Sequence, residues 1–156
     1  MTVECFLDTN VLVYAVSSAP SDLAKKEKAL EMIERADFGL SAQVLQEFYV
    51  TVTRKIAKTL APEAAVAILD ELKVFPTVEV DYSLIVSGIE VSLAYGISYW
   101  DGTIIAAAAV LGAPVLMTED LNDGQTYGAV RVVNPFRDAS HPDSVHESES
   151  LKGGWG

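Results

Sequence analysis

The sequence predicts one α/β domain in three layers, with a mostly parallel sheet of five strands covered by helices on both faces. Three observations lead there. Over residues 1–136, short apolar runs of strand length alternate with segments whose apolar positions step by three or four, as one face of a helix does. Strands separated by helices imply parallel neighbours in a sheet buried on both sides. Half of the 156 residues are hydrophobic and 21% are charged, which suits one packed core and excludes a largely disordered chain.

Residues 3–7, apolar apart from Glu4, end at Asp8 and read as the first strand; residues 10–15 continue as a turn of helix. Ser21 or Asp22 can cap a helix through Arg35, with Leu23, Leu30 and Ile33 on its inner face. Gly39 and Leu40 make a minimal second strand. Ser41 suits the N-cap of the next helix, because its hydroxyl can accept a first-turn N–H; Leu45, Phe48, Val52 and Ile56 mark the face that helix buries. Pro62 fits a helix's first turn, where its missing N–H costs nothing, and Val66, Leu69 and Leu72 are expected to face inward on that helix. Residues 77–80 read as a third strand. Asp81 caps a helix running to Tyr95 and closed by Gly96. Asp101 opens an Ala-rich helix that stops at Gly112 and Pro114, and residues 115–117 and 130–133 supply the last two strands.

After Phe136 the pattern ends. Residues 137–156 lack apolar periodicity and read as a solvated, disordered tail in which nothing fixes His141 and His146 as ligands. The net charge of −11, from 22 acidic and 11 basic residues, argues against broad capture of nucleic acid, which needs a basic face. It leaves room for a nucleic-acid enzyme whose acids gather around metal. The apolar run over residues 104–117 is too short to span a membrane and is broken by Gly112 and Pro114. The N-terminal residues lack a basic signal region, so the expected location is the cytoplasm. Cys5 alone excludes an intramolecular disulfide and a multi-cysteine zinc site, and reads as a small buried hydrophobe.

Four segments place acids at element boundaries or on a helix: FLDTN (Asp8), QVLQEFY (Glu47), SYWDGTIIAAA (Asp101) and LMTEDLNDGQ (Glu119, Asp120, Asp123). Singly, each has a plain reading as a helix cap, a solvated helix residue or an acidic turn. Together they fall where open parallel sheets build sites, beyond the carboxyl ends of strands. If the first and fourth strands are neighbours, Asp8 and Asp120 meet. Gathered carboxylates repel unless a cation or protons neutralise them. A hard divalent ion such as Mg²⁺ suits oxygen ligands, retained waters and a phosphate substrate, and supports in-line phosphoryl displacement.

FLDTNVLVY, QEFYVTVTRK, ISYWDGTIIAAA and LMTEDLNDGQ, in this order and spacing, resemble the PIN-domain family and most closely its bacterial VapC-type toxins, over about residues 3–136. The resemblance implies a sheet ordered 3-2-1-4-5 and a Mg²⁺- or Mn²⁺-dependent endoribonuclease. Such toxins cut structured RNA, leaving 5′-phosphate and 3′-hydroxyl ends, and are held inactive by a cognate antitoxin. By position, Asp8, Glu47, Asp101 and Asp120 match the family's acidic, metal-binding site, with Asp123 an accessory acid on the same metal, and Asn10 and Thr118 polar supports. Glu119 has no counterpart as a ligand.

Arg54, Lys55 and Lys58 lie two to three turns beyond Glu47 and can grip RNA phosphates beside the cut; a solvated face is the alternative. Lys25, Lys26 and Lys28 read as a solvated face. Tyr99 and Trp100 read as packing beneath the site, with base stacking as the alternative. Met32 and Val66 read as apolar residues beyond core needs, and with the family's two-fold dimers they point to a homodimer. An acidic site on an acidic protein predicts an antitoxin with a basic C-terminal segment that brings an Arg or Lys near Asp8 and Asp101. Competing readings fare worse. A haloacid-dehalogenase-like phosphatase needs an acid where Asn10 stands, and a receiver domain needs an acidic pair and a late lysine. A non-catalytic RNA-binding PIN module typically loses the acids this chain keeps, while a non-toxin RNA-processing PIN nuclease would keep them.

Overall fold

The computed structural model of the protein describes residues 3–138. The expected tail, His141 and His146 included, lies outside them apart from its first two residues. The elements run β1 (Cys5–Leu7), α1 (Thr9–Val16), a 3₁₀ turn, α2 (Leu23–Arg35), β2 (Phe38–Ser41), α3 (Ala42–Val50), a π-turn (Thr51–Lys55), α4 (Pro62–Leu72), β3 (Thr77–Val78), α5 (Tyr82–Tyr95), α6 (Tyr99–Val110), β4 (Val115–Met117), β5 (Thr126–Tyr127) and β6 (Val130–Val133).

The architecture is mixed α/β in the expected sense, with sheet order β3-β2-β1-β4-β6-β5. All pairs are parallel except β5 with β6. The expected 3-2-1-4-5 order therefore stands once β6 is counted fifth. A sixth strand is added because Gly128, at φ 61°, turns the chain in a two-residue loop between Tyr127 and Val130. Strand order reverses between β1 and β4, so the loops after these strands diverge and leave a crevice at their carboxyl ends.

The core forms from Phe6, Leu7, Phe38, Leu40, Phe48 and Leu116, all fully buried. Each large apolar side chain so placed stabilises the fold by about 1.5–3 kcal/mol over leaving it in water. Ser41 caps α3 through Val44 N–H at 3.2 Å, and Asp81 caps α5 through Leu84 N–H at 2.8 Å. Gly96 closes α5 in the left-handed region at φ 63°. These three boundaries match expectation because each depends on one local hydrogen bond or one backbone angle.

Other expectations need correction. Of the expected inner face of α2, Ile33 packs against the core, but Leu23 (58%) and Leu30 (39%) are exposed and Ala29 and Met32 are buried, so the face is rotated from the expected one. Met32, 4% exposed, belongs to the core and is not available to a dimer contact; Val66, expected inward, is 55% exposed, and α4 buries Ala65 and Leu72. Asp101 does not open α6. Ser98 does, accepting from Asp101 N–H at 3.0 Å, which leaves Asp101 in the first turn with its carboxylate free of capping duty. The helix after Ser41 does not continue to Lys58: α3 ends at Val50 and the backbone widens into the π-turn.

α5 and α6 pack closely because two glycines face each other. A Cβ on Gly102 would stand 2.5 Å from the Gly88 carbonyl oxygen, and one on Gly88 would stand 2.5 Å from Thr103 Cγ2. This contact sets where the start of α6, and hence Asp101, lies against the sheet. Among the described residues, no helix is long and apolar enough to cross a membrane.

Candidate active site

Asp8 follows β1 and Thr118 follows β4, and the backbone joins them: Asp8 N–H donates to Met117 O at 3.1 Å. Thr118 is fully buried and uses its whole hydroxyl. It donates to Asp8 Oδ2 at 2.8 Å and accepts from Asn10 Nδ2 and from Asp120 N–H, both at 3.1 Å. Asn10 Nδ2 also donates to Asp120 Oδ2 at 3.1 Å. Asp8 Oδ1 accepts from Thr9 N–H at 2.7 Å, capping α1. The DTN tripeptide and the Thr118–Asp120 turn thus form one hydrogen-bonded unit across the β1–β4 boundary.

Glu47 joins from α3. Thr9 Oγ1 donates to Glu47 Oε2 at 3.0 Å, and Gln43, one turn earlier, donates to Glu47 Oε1 at 3.2 Å. Gln43 also donates to the Trp100 carbonyl at 3.3 Å, tying α3 to the first turn of α6 beside Asp101. Asp101 lies close enough to raise the proton affinity of Asp120.

The electrostatics follow from this crowding. Burial, with the neighbouring Asp120 and Glu47 charges, pushes Asp8 up from 3.8 to about 6, against the lowering effect of its two hydrogen bonds. Asp120 is raised by burial and then by Glu119, Asp101 and Glu47, opposed by Asn10. Asp8, Glu47, Asp101 and Asp120 therefore share one field that a cation would relieve. Asn10 Oδ1 is buried beside them with no hydrogen-bond partner. Among the described residues, no three His, Cys, Asp or Glu side chains are placed to hold an ion by themselves. The donors are oxygens throughout, so the set fits a hard divalent ion that keeps several of its waters.

Asp123 lies apart from this set. Its Oδ1 accepts from Asn134 N–H and its Oδ2 from Arg137, each at 2.9 Å, which lowers its pKa and pins the chain after β6. Glu119 also has other work: Lys25 Nζ meets Glu119 Oε2 and Tyr14 OH, each at 3.0 Å, and Tyr14 OH donates to Glu119 Oε1 at 2.6 Å. Lys25 is thus not a solvated lysine, and Lys26 donates to the Ser17 carbonyl at 2.9 Å. Trp100 is 64% exposed with its ring edge-on to Tyr99, so it does not pack beneath the site. Cys5 is buried with its thiol pushed up to about 11 by desolvation, an inert core residue as expected.

Thr9, Gln43 and the Lys25–Tyr14 pair escaped the sequence reading. Gln43 carried one usable signal, its position one helical turn before Glu47; Lys25 and Glu119 carried none, being far apart in the chain.

A cavity of about 690 Å³ opens between α1 and α3 with Glu47 and Asp120 in its wall. A family model described as the PIN domain matches residues 5–124. No protein of curated function matches the sequence. Several solved structures share the fold. A toxin–antitoxin complex from Klebsiella pneumoniae is 17% identical with a TM-score of 0.63, over 84% of this chain and 97% of that one. DNA-bound VapBC from Salmonella typhimurium is 17% identical with a TM-score of 0.63, over 86% and 99%. VapC20 of Mycobacterium tuberculosis, a toxin that cleaves the sarcin-ricin loop, is 20% identical with a TM-score of 0.60, over 81% and 98%.

Proposed function

Because the chain belongs to the PIN-domain family, we propose that it is a metal-dependent endoribonuclease acting as the toxin of a toxin–antitoxin pair. The observation that carries this reading is the single hydrogen-bonded unit of Asp8, Asn10, Thr118 and Asp120, with Glu47 tied to it through Thr9. The ion is Mg²⁺, with Mn²⁺ as the substitute, held by Asp8, Glu47, Asp101 and Asp120. Asp123, engaged by Arg137 and Asn134, acts on the site only through the turn it braces. When bound, the ion supplies the positive charge that activates water and stabilises an in-line displacement at phosphorus.

The chain's own residues do the rest. Thr118 fixes both the rotamer of Asp8 and the start of the turn bearing Asp120. Asn10 orients Asp120, and Thr9 with Gln43 holds Glu47 toward the cavity. The substrate is RNA, and its phosphates meet the basic segment that follows α3. The toxin role adds a cognate antitoxin whose basic C-terminal segment meets the acidic site near Asp8 and Asp101. The structures of toxin–antitoxin complexes with this fold support that assembly. A homodimer is proposed with it, through the exposed apolar stripe Tyr82, Ile89 and Leu93 on α5.

The test is cleavage of a structured RNA pool with Mg²⁺, with Mn²⁺ and with chelator. Cleavage appears with either ion and vanishes with chelator. Asp101→Asn and Asp8→Asn each abolish it while the proteins remain folded. Metal-dependent cleavage that survives Asp101→Asn would overturn the site.

A further inference from the structure

The backbone widens where the site's helix meets its basic residues. On an unbroken α-helix, the residues sharing a face with Glu47 are those four, seven and eleven positions on. They are Thr51, Arg54 and Lys58. The chain does not follow that path. α3 ends at Val50, and residues Thr51–Lys55 form a π-turn closed by Ile56 N–H donating to Thr51 O at 3.2 Å. A turn closed over five residues carries one more residue than an α-turn, so the face passing through Glu47 and Thr51 continues at Lys55, and the chain leaves the helix at Ile56. The cavity wall follows the same path: Glu47, Thr51, Lys55 and Ile56 line it, and Arg54 does not. Lys58, past the turn, lines a separate cavity of about 280 Å³ beside Asp22.

Lys55 is exposed and has no ion-pair partner among the described residues. The cavity wall thus carries the acids Glu47 and Asp120 together with an uncommitted ammonium, that of Lys55; of the two other acids in the wall, Glu119 is paired with Lys25 and Asp22 accepts from Ser17. Eight residues separate Glu47 from Lys55, about 12 Å along a helix axis. A cationic occupant would be repelled by Lys55. A polyanionic strand whose reacting phosphate sits at the acids would place a neighbouring phosphate near it.

We propose that Lys55, carried onto the Glu47 face by the π-turn, grips a phosphate of the RNA strand flanking the bond to be cut, and that Arg54 and Lys58 do not. This rests on the endoribonuclease reading and narrows its basic cluster to one positioning residue. The experiment measures KM and kcat on a tRNA pool and a sarcin-ricin-loop hairpin with Mg²⁺ or Mn²⁺, for the wild type and for Lys55→Gln, Lys55→Arg, Arg54→Gln and Lys58→Gln. Lys55→Gln raises KM about tenfold with kcat within about twofold, and lowers the slope of log kcat/KM against log salt by about 0.7–1, as loss of one phosphate contact requires. Lys55→Arg restores both values, and the other two variants stay within about twofold of wild type. A wild type that cuts RNA with no dependence on Lys55, or with equal dependence on Arg54 or Lys58, overturns this placement alone. A wild type that cuts neither RNA with either ion overturns the nuclease reading and this placement with it.

Discussion

Asp8 costs the folded protein stability wherever it is ionised. Its carboxyl titrates near 6 in the fold against an ordinary 3.8, chiefly because it is buried. Below about pH 4 both states hold the proton and the penalty is absent. Between that pH and about 6 the unfolded chain releases its proton while the fold retains it, so stability falls as pH rises. The full penalty is reached above pH 6 and amounts to up to about 3 kcal/mol, since a pKa difference of one is worth about 1.36 kcal/mol. Asp8→Asn, which cannot ionise, therefore melts above the wild type at pH 8 in the absence of metal. Calorimetry at both ends of the range shows that gap closing toward pH 4. Thr118→Val is the converse case. It leaves Asp8 Oδ2, Asn10 Nδ2 and the Asp120 N–H each short of a partner. The expected loss is about 1–3 kcal/mol by denaturant titration, together with a reduced kcat, because unmet buried polar groups bear their full desolvation cost.

The α5–α6 crossing controls Asp101 without touching it. Gly102→Ala brings a methyl group within 2.5 Å of the Gly88 carbonyl, a backbone atom that no rotamer change can move. The helices must part. Overpacking of this kind costs about 1–3 kcal/mol. Cleavage falls further than stability predicts, because Asp101 sits one residue away on the displaced turn. Comparing kcat at a temperature where circular dichroism shows the variant fully folded separates displacement from unfolding. Gly39→Ala, in β2, presses chiefly on the flexible end of Leu111 and should lower stability without a specific loss of kcat.

At the scale of the molecule, the ion and the fold are linked. A divalent ion that binds only the folded acids adds about 2.7 kcal/mol at a concentration one hundred times its dissociation constant. For a chain of this size that is a rise in Tm of several degrees. Thermal melts against Mg²⁺ should show this for the wild type and lose it in Asp8→Asn and Asp101→Asn; a flat wild-type response would count against the metal site. The exposed stripe on α5, with Tyr82 at 81% and Leu93 at 79%, is the second whole-molecule feature. Leu93→Lys should convert a dimer to a monomer in sedimentation at micromolar concentration, because burying a charge in an apolar interface is unfavourable.

The sequence by itself determined whatever depends on local chemistry. Ser41, Asp81 and Gly96 each mark a helix end through one hydrogen bond or one backbone angle, and neighbours along the chain suffice to read them. The alternation of strands and helices fixed the parallel sheet, and DTN with TED placed acids at two strand ends. Tertiary structure alone decided the rest. Lys25 and Glu119 are 94 residues apart, and their pairing required the crevice to close between them. The face α2 turns inward was set by what packs against it, so Met32 and not Leu23 joined the core. The π-turn after Val50 put Lys55 and not Arg54 on the wall of the cavity that Glu47 lines, because a helix's register depends on its backbone hydrogen bonds and not on the spacing of its letters.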